Sequence, residues 1–466
     1  MKQMEKFDVM VIGAGPGGYV AAIRAAQLGM KTAIVEKEHL GGICLNWGCI
    51  PTKALLQSAE MYHKVKEAAY FGVKVEGVTL DLKTMVDRSR TISQKLASGI
   101  SHLLKKNKVT VFQGYGRLKG AGNVEITETE GPLRTVNASH IILATGARPR
   151  ILKGLEPDGH LIWTSKEAML PDHLPSSLLI IGSGAIGVEF GSFYQTLGTQ
   201  VTIVEIQDRI LPVEDAEISQ IAHKKFEKMG MKIHTCTTVS SLKKHKDTVE
   251  VTLQGLDGTK TVMIERVIVA AGIQGNVEDL GLENTKVVVQ KNQIQVDEFS
   301  RTAEKGVYAI GDVAGAPWLA HKASHEAVIC IEKIAGLDVS PLKDHVVPGC
   351  TYSLPQVASF GLTEQMTKDQ KRDVKIGRFP YQANGKALAL GEAEGLIKTL
   401  FDAKTGELLG VHMIGADVTE LIQGYAIAKT LETTEEELMR TIFPHPTLSE
   451  MMHESVLSAY GKAIHI

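Results

Sequence analysis

The stretch that decides the fold is Phe7-Asp8-Val9-Met10-Val11-Ile12-Gly13-Ala14-Gly15-Pro16-Gly17-Gly18. Its first six residues are typical of a buried strand, an apolar helix follows the glycines, and a second strand at 31–35 ends in Glu36. Small residues in such a turn let the backbone close on a pyrophosphate at the helix N-terminus, and the acid can hold a ribose hydroxyl. In this context the stretch predicts a dinucleotide-binding βαβ unit rather than a mere tight turn. We call Gly13 to Gly18 the first fingerprint.

A second fingerprint, Gly182-Ser183-Gly184-Ala185-Ile186-Gly187, follows a strand at residues 177–181. Three features of the two copies are separated by the same number of residues. They are the first glycine, the glycine that stops the helix and the terminal acid. The matching residues are Gly13 and Gly182, Gly29 and Gly198, and Glu36 and Glu205. Because chance seldom preserves one register across three features, we interpret the copies as an internal duplication with two dinucleotide sites. A carboxylate such as Glu205 suits a free 2′-hydroxyl and repels a 2′-phosphate, so the second site favours NAD over NADP.

The composition is that of an ordinary globular protein of about three domains. The 466 residues include 51 Lys and Arg against 53 Asp and Glu, and 44% of them are apolar. This near-neutral balance gives no reason to expect a nucleic-acid partner or a membrane surface. No apolar run approaches the roughly twenty residues that span a bilayer, and residues 1–6 lack the features of a signal peptide or presequence. We therefore expect a cytoplasmic protein.

Two cysteines, Cys44 and Cys49, lie close together in Gly-Gly-Ile-Cys-Leu-Asn-Trp-Gly-Cys-Ile-Pro-Thr-Lys at residues 41–53. Such a pair can be a structural disulfide, two metal ligands, two unrelated buried thiols or a redox-active dithiol. The other three cysteines are scattered, so a four-cysteine zinc site and a secreted disulfide framework are both poorly supported. In a reducing compartment a bridge between Cys44 and Cys49 would be catalytic more often than structural. The spacing alone leaves these alternatives open.

Three later strands end in residues that suit a nucleotide site. The strands lie near residues 141–147, 267–272 and 307–312, and the residues at their ends are Thr145, Gly146, Ala270, Gly272 and Asp312. The carboxylate of Asp312 could bond the hydroxyls of a cofactor's sugar or ribitol, and the alternative is a helix N-cap. Between the two fingerprints, residues 51–106 are predicted to be mostly helical, and a short strand-rich stretch around Gly116 follows.

The chain changes character from about residue 346, where alternating strands and then helices predict an α+β domain without a nucleotide fingerprint. The predicted strands run from Gln356 to Phe360, from Leu396 to Phe401 and from Leu408 to Ile414. Near its end, two prolines flank His445 and fix its backbone, as a positioned base would need. Glu450 could orient this imidazole, in an arrangement that recurs in nucleophilic catalysis. Two alternatives compete. His445 can be a packed loop histidine, and Thr447 with Glu450 forms the Thr-x-x-Glu pattern of a capping box.

Together these motifs resemble those of the flavoprotein pyridine-nucleotide disulfide oxidoreductases. The resemblance covers the whole length, in the family's order, and rests on residues 41–53, both fingerprints, Ala309-Ile310-Gly311-Asp312 and His445-Pro446-Thr447-Leu448-Ser449-Glu450. Within the family, Leu319-Ala320-His321-Lys322-Ala323 and the ending at residues 461–466 are similar to the members that oxidise dihydrolipoamide with NAD+. The chain departs from many relatives at Ile43, at the turn of residues 272–276, which is often Arg-rich, and at Phe443-Pro444. None of these departures removes a reacting group.

The resemblance implies an α/β fold with two Rossmann-like dinucleotide-binding domains and a C-terminal α+β dimerisation domain. Its segments would be an FAD-binding domain at 1–150 and 276–345, an NAD-binding domain at 151–275 and an interface domain at 346–466. The first fingerprint would bind FAD together with Glu36, Lys53, Gly116, Asp312 and Ala320. The second fingerprint would bind NAD together with Glu205, Val239 and Ala270. No metal is expected.

The same resemblance implies roles for the reacting groups. Cys44 would exchange with the substrate dithiol, Cys49 would lie next to the flavin, and His445 would take a proton from the entering thiol. Glu450 would hold the imidazole, and Lys53 would supply positive charge beside the flavin. Glu189 would pair with Lys53, and its alternative is a solvated helix residue.

Partners also follow from the resemblance. His445 and Glu450 would come from the partner subunit, so the active site would form only in a homodimer. The expected protein partners are the lipoyl domains of 2-oxo-acid dehydrogenase acyltransferase components. Two other functions stay open: a flavin reductase for another disulfide or an NADH diaphorase, and a flavin-loaded binding subunit with vestigial thiols.

Overall fold

The computed structural model describes residues 4–120, 122–343 and 346–466. The chain divides into two compact units, each assembled from three segments. The first unit comprises Met1–Ala54, Lys83–Arg150 and Gly272–Leu342, and the second comprises Leu55–Leu82, Ile151–Ala271 and Lys343–Ile466. This division does not test the boundaries predicted after residues 150 and 275, which stay predictions. The boundary predicted after residue 345 lies outside the described residues.

The described chain contains both helices and strands. The strands are β1 (Glu5–Ile12), β2 (Thr32–Glu36), β3 (Thr110–Leu118), β4 (Asn123–Glu128), β5 (Leu133–Leu143), β6 (Ala147–Pro149), β7 (Ile162–Trp163), β8 (Ser177–Ile181), β9 (Gln200–Val204), β10 (Lys232–His234), β11 (Thr238–Lys244), β12 (Val249–Gly255), β13 (Gly258–Ile264), β14 (Arg266–Val269), β15 (Ile273–Gly275), β16 (Val289–Gln290), β17 (Gln293–Ile294), β18 (Val307–Ala309), β19 (Gly349–Thr351), β20 (Gln356–Gly361), β21 (Val374–Pro380), β22 (Leu396–Asp402) and β23 (Leu408–Gly415). The helices are α1 (Pro16–Gln27), α2 (Gly42–Trp47), α3 (Cys49–Lys66), α4 (Leu82–Lys106), α5 (Ser165–Ala168), α6 (Ala185–Thr196), α7 (Ala216–Lys228), α8 (Ala320–Ile334), α9 (Glu364–Asp369), α10 (Gly385–Leu390), α11 (Val418–Thr430), α12 (Glu435–Arg440) and α13 (Glu450–Ala459). The segment predicted to be mostly helical, residues 51–106, falls mainly in α3 and α4.

In the first unit, β1 pairs in parallel with both β2 and β5, and β18 adds in parallel to β5. Successive side chains of a strand point to opposite faces, so Val9 and Val11 enter one apolar core while Met10 and Ile12 enter another. The register sets both Ile12 and Ala309 opposite Leu143. The turns that follow β1, β5 and β18 therefore meet at one edge of the sheet, which is where ligands bind in open α/β sheets.

The second unit contains a five-stranded sheet in the order β10-β9-β8-β14-β7, and every neighbouring pair in it is parallel. Ile181 lies opposite both Val204 and Val269, so the second fingerprint, the acid after β9 and the residues after β14 share one edge. The two glycine-rich turns thus stand in the same place on two sets of parallel strands. This confirms the predicted pair of Rossmann-like folds.

A second five-stranded sheet of this unit, in the order β19-β20-β23-β22-β21, is antiparallel throughout. Its core includes Phe379, Phe401 and Tyr425, and α11 and α13 pack on it. The strands predicted at residues 356, 396 and 408 are β20, β22 and β23, and the predicted α+β class is confirmed. The sequence analysis missed β21, because a glycine, a proline and two charged residues obscure its alternation. No helix in the described ranges has both the length and the apolar character needed to cross a bilayer.

Candidate active site

Cys44 and Cys49 form a disulfide that joins α2 to the start of α3, with their Cα atoms 4.7 Å apart. Both residues are partly buried. Among the described residues, no group of three or more His, Cys, Asp or Glu side chains is placed to hold a metal ion. Of the four alternatives that the spacing left open, the structure therefore fits the two in which the cysteines pair, a structural disulfide and a redox-active dithiol.

The cysteine stretch is fixed against the first fingerprint by backbone contacts. The N–H of Gly41 donates to the carbonyl of Ala14 over 2.9 Å. A Cβ atom on Gly42 would stand 2.6 Å from the Cα of Gly15, so only glycine allows this approach. Asn46 closes the turn by donating from Nδ2 to the Gly42 carbonyl over 2.9 Å. The disulfide thus lies beside a predicted cofactor turn.

Arg90 of α4 supports this stretch and was missed by the sequence analysis. Its guanidinium lies 4.0 Å from the centre of the Trp47 ring, and Nη1 donates to the Asn46 carbonyl over 2.5 Å. Burial lowers the pKa of Arg90. No local pattern links an arginine on a distant helix to the cysteine stretch, so the sequence held no signal for it.

The first fingerprint forms a cradle with one open position. A Cβ atom on Gly13 would stand 2.4 Å from the Ala144 carbonyl oxygen, and one on Gly18 would stand 1.9 Å from the Gly13 oxygen. A Cβ atom on Gly15 would meet nothing within 4 Å. The outer glycines are therefore needed for packing, and the middle one leaves room for a phosphate to approach the backbone.

The second fingerprint repeats this geometry. A Cβ atom on Gly182 would stand 2.5 Å from the Ala270 oxygen, and one on Gly187 would stand 2.0 Å from the Gly182 oxygen. Gly184 has no heavy atom within 4 Å of the same position. The two cradles match so closely that both fit a dinucleotide, and the predicted duplication extends to the contacts made by each glycine.

The acid of each fingerprint is buried and points at its own glycine turn. Glu36 accepts the N–H of Ala14 over 2.7 Å and the N–H of Glu38 over 2.8 Å. Glu205 accepts the N–H of Ser183 over 2.9 Å and, in addition, its hydroxyl over 2.6 Å. These donors hold each carboxylate at the strand end where a ribose hydroxyl would arrive.

The strand end near residue 145 meets the unusual turn of residues 272–276 within the first unit. Thr145 donates from Oγ1 to the Asn276 carbonyl over 2.8 Å, and Asn276 returns a bond from Nδ2 to the Thr145 carbonyl over 2.9 Å. Arg148 adds a bond to the Asn276 side chain and an ion pair with Glu278. Hydrogen bonds from Arg148 lower the pKa of Glu278 to about 2. The altered turn is thus held by groups that the sequence analysis did not single out.

That turn begins beside two predicted glycines that no neighbour crowds. Gly146 accepts the N–H of Asn276 over 3.0 Å, and Gly272 accepts the N–H of Arg150 over 3.0 Å. A Cβ atom on either glycine would meet nothing within 4 Å. Both backbone φ angles are positive, at 69° and 97°, so glycine is favoured at these positions by conformation rather than by contact.

Asp312 lies in a short 3₁₀ turn, Gly311–Ala314, which ends five residues before Leu319, the N-cap of α8. The N-cap of this turn is Ile310, so the N-cap alternative for Asp312 is wrong. Burial raises the pKa of its carboxyl.

Gly116 is a glycine for a packing reason, because a Cβ atom there would stand 2.6 Å from a methyl of Val35. Val239 is a partly buried residue of β11.

Glu189 of α6 is only 4% exposed, so the alternative of a solvated helix residue is wrong. Its Oε1 accepts the N–H of Tyr352 over 2.9 Å. Burial raises the pKa of the Tyr352 phenol to about 12. Lys53 lies one helical turn after Cys49 in α3. Lys53 and Glu189 belong to different units, and their pairing stays a prediction.

His445 and Glu450 form the predicted pair in the second unit. His445 Nδ1 lies 2.9 Å from Glu450 Oε1, and the imidazole is 80% exposed, so it is not a packed loop histidine. Glu450 is the first residue of α13, and its Oε2 accepts the Thr447 N–H over 2.9 Å. Thr447 itself bonds Pro444 and Ser449 through its hydroxyl, so only one half of the expected capping box is present. The carboxylate serves both the turn and the imidazole.

The electrostatics of this pair suit a base. Partial burial raises the pKa of Glu450, but hydrogen bonds from the Thr447 N–H and from His445 outweigh it and leave the pKa below its ordinary value. Glu450 is therefore an anion at neutral pH and favours the tautomer that donates from Nδ1. In that tautomer the exposed Nε2 carries the lone pair that can take a proton.

The structure brings the predicted residues together in two groups. The disulfide, the first fingerprint, Thr145 and Asp312 lie in the first unit, whereas the second fingerprint, Glu205 and the His445–Glu450 pair lie in the second. How the imidazole reaches the disulfide stays a prediction.

Comparisons with known proteins agree with the two nucleotide folds and the disulfide of this structure. Residues 7–327 match the family described as "Pyridine nucleotide-disulphide oxidoreductase", and residues 347–456 match its "dimerisation domain". The chain is 54% identical to the "Dihydrolipoyl dehydrogenase" of Rhizobium etli and 53% identical to that of Zymomonas mobilis, with 99% of each chain covered in both cases. Among solved structures, LpdA from Mycobacterium tuberculosis has a TM-score of 0.91 at 27% identity, and the alignment covers 97% of this chain and 99% of that one.

Proposed function

We propose, from the premise that this chain belongs to the pyridine nucleotide-disulphide oxidoreductase family, that it oxidises protein-bound dihydrolipoamide and reduces NAD+. The chain is an oxidoreductase. The observation that carries the substrate assignment is the Cys44–Cys49 disulfide, fixed against the first of two matching nucleotide cradles, in a chain whose relatives are dihydrolipoyl dehydrogenases over their whole length. A dithiol substrate is the natural reductant of such a disulfide.

Two cofactors fit the two cradles. FAD would be held by the first fingerprint with Glu36, Gly116, Thr145, Gly146, Asp312 and Ala320, in segments 1–150 and 276–345. NAD would be held by the second with Glu189, Glu205, Val239, Ala270 and Gly272, in segment 151–275. When bound, FAD supplies the two-electron chemistry that links a dithiol to a nicotinamide. The buried carboxylate of Glu205 supports NAD over NADP, because it would repel a 2′-phosphate.

The disulfide performs thiol exchange. The first thiolate of dihydrolipoamide attacks Cys44 Sγ, forms a mixed disulfide and releases Cys49 as a thiolate. The second substrate thiol then attacks the substrate sulfur that is bonded to Cys44 in the mixed disulfide. This step closes the lipoamide ring and releases the Cys44 thiolate. Both substrate sulfurs are oxidised, and the two cysteines are reduced. Because the attacking species is a thiolate, each attack needs a proton acceptor.

His445 is that acceptor in our proposal. Its Nε2 takes the proton of the entering thiol, and Glu450 holds the ring by its Nδ1–H and stabilises the cation that forms. Lys53 supplies a positive charge one helical turn from Cys49, which favours the thiolate there.

The dimerisation-domain match supports a homodimer. We propose that segment 346–466 forms the interface and that His445 and Glu450 serve the disulfide of the partner chain. The lipoyl domain of a 2-oxo-acid dehydrogenase acyltransferase is the proposed protein substrate, and a cytoplasmic location stays a prediction.

An assay of the purified protein tests the proposed reaction. We expect NADH formation from dihydrolipoamide and NAD+, and loss of this activity when a thiol alkylator is applied to the dithionite-reduced protein but not to the oxidised one. Cys44→Ser and Cys49→Ser should each retain FAD and lose at least about 10³-fold in activity, because the exchange step has no substitute nucleophile. Turnover of glutathione disulfide with no turnover of dihydrolipoamide would contradict the substrate assignment.

Mixed dimers test the shared site. Chains carrying Cys49→Ser and chains carrying His445→Gln are each expected to be inactive. After co-refolding, the mixture should regain up to about a quarter of native activity, because about half of the dimers are then heterodimers and one of the two sites in each heterodimer holds both native groups. The control is each variant refolded alone. If mixing restores nothing while the heterodimer is detected by mass, the imidazole and disulfide belong to one chain.

A further inference from the structure

A largely buried ion pair on α8 lies beside the turn of Asp312. Lys322 Nζ is 2.7 Å from Glu326 Oε1, one helical turn further on, and the two side chains are 4% and 15% exposed. Taking a lysine and a glutamate out of water costs more than their attraction regularly returns, so apolar residues would serve the core as well. The presence of the pair calls for a purpose other than packing.

The pair contacts both ends of the Asp312 turn. Glu326 Oε2 accepts the N–H of Gly311 over 2.7 Å, and Lys322 Nζ donates to the carbonyl of Gly315 over 3.0 Å. Gly311 and Gly315 have φ angles of 73° and 121°, in the region that favours glycine. These ends are thus held by charged groups that are themselves fixed on one helix, and charge-assisted bonds of this kind are stronger than neutral ones.

The pair also sets the charge around Asp312. Burial raises the pKa of its carboxyl, Lys322 lowers it, and Glu326 raises it. A lysine removed alone would leave two buried carboxylates near one another, whereas removal of both members would leave Asp312 without a counter-charge but also without a competing anion.

We propose that the Lys322–Glu326 pair is a positioning device that holds the Asp312 turn ready for the flavin cofactor's hydroxyls before the cofactor arrives. This inference rests on the proposed role of Asp312 in FAD binding. Neither Lys322 nor Glu326 needs to touch the cofactor, since each acts through the backbone ends of the turn.

The test compares FAD release from native protein and variants, followed by the rise of flavin fluorescence at a fixed urea concentration below unfolding. The double variant Lys322→Met, Glu326→Met removes both charges at similar volume and should release FAD about tenfold to a hundredfold faster, the effect of losing charge-assisted bonds. Glu326→Gln keeps an acceptor for the Gly311 N–H, so its FAD release should be faster than that of native protein and slower than that of the double variant. Glu332→Gln is the matched control, because Glu332 lies on α8 away from the turn and pairs with Arg24 of α1. FAD release from this variant should equal that of native protein.

A double-mutant cycle separates positioning from general stability. Asp312→Asn should itself speed FAD release, and the added pair variant should then change the rate by less than about twofold, because the turn no longer presents a carboxylate. Equal effects of the pair variant with and without Asp312, or native release from the double variant, would overturn the inference. Native protein that carries no flavin would instead overturn the proposed function.

Discussion

At the scale of single residues, the two nucleotide cradles differ by one hydroxyl at the position after the first glycine. Ala14 and Ser183 occupy the same place in their fingerprints, and each donates its N–H to the acid at the end of the next strand. Only Ser183 adds a side-chain donor, whose Oγ lies 2.6 Å from Glu205. This hydroxyl fixes the Glu205 carboxylate in one orientation, which a ribose-binding acceptor needs.

Ser183→Ala is expected to raise KM for NAD+ about tenfold with little change in kcat. The reason is that a hydrogen bond to a charged group contributes about 1.5–3 kcal/mol, here to the acid that receives the ribose. Steady-state kinetics at saturating dihydrolipoamide measure the effect. Ser241→Ala, which removes an exposed hydroxyl of the same unit, is the control. A lower KM in Ser183→Ala would mean that the hydroxyl competes with the ribose.

At the scale of elements, each fingerprint turn divides its glycines by task. The outer glycines approach backbone so closely that any side chain would clash, whereas the middle one faces open space. Gly184, the middle glycine of the second turn, has φ −67° and ψ −177°, a conformation that any residue adopts. Its lack of a side chain therefore serves a ligand and not the fold.

Two alanine substitutions separate these tasks. Gly184→Ala should leave the unfolding midpoint unchanged and raise KM for NAD+ at least tenfold, because the methyl fills the space of the pyrophosphate. Gly187→Ala should cost about 1–3 kcal/mol of stability, because its methyl would stand 2.0 Å from the Gly182 oxygen. Thermal unfolding and kinetics on the same preparations give both values. Equal destabilisation by the two changes would contradict this division.

At the scale of the whole molecule, the C-terminal sheet and the second nucleotide layer share one buried charge network inside the second unit. Lys398 of β22 is 1% exposed and contacts three carboxylates, those of Asp215, Glu217 and Glu364, within 2.9 Å. Asp215 caps α7, and Arg378 of β21 pairs with both glutamates. The network joins segments that lie far apart in sequence.

Lys398→Met should destabilise the protein by about 3–5 kcal/mol, because Asp215 would stay buried without its cation. Urea unfolding at pH 7 measures this. Arg440→Gln, which breaks an exposed pair with Glu436, is the control and should cost less than about 0.5 kcal/mol. A similar small loss in both variants would contradict a buried network.

The same network predicts an acid dependence. Hydrogen bonds from Lys368 and Lys398 lower the pKa of Glu364 from 4.5 to about 2. The stability from this shift is fully present above the ordinary value and is lost as pH falls from 4.5 toward 2. Lys398→Met should lose less stability than native protein across this window, since part of the shift is already gone. Parallel losses would exclude Lys398 as a cause.

The sequence by itself determined the two nucleotide folds, their duplication and the α+β class of the C-terminal part. These follow from apolar strand patterns and glycine spacings, which are local features of the sequence and do not depend on how distant segments pack. The sequence also predicted the pairing of His445 with Glu450. Two side chains five residues apart at the start of a helix can meet without help from the rest of the fold.

Only the tertiary structure decided which alternatives hold and which groups support the site. In the structure Cys44 and Cys49 form a disulfide, and Glu189 is buried with a hydrogen bond to the Tyr352 backbone. The structure also excludes the N-cap alternative for Asp312. It also revealed Arg90, the Thr145–Asn276 bonds and the Lys322–Glu326 pair. Most of these contacts join residues far apart in the chain, and all of them depend on burial, which no local pattern encodes.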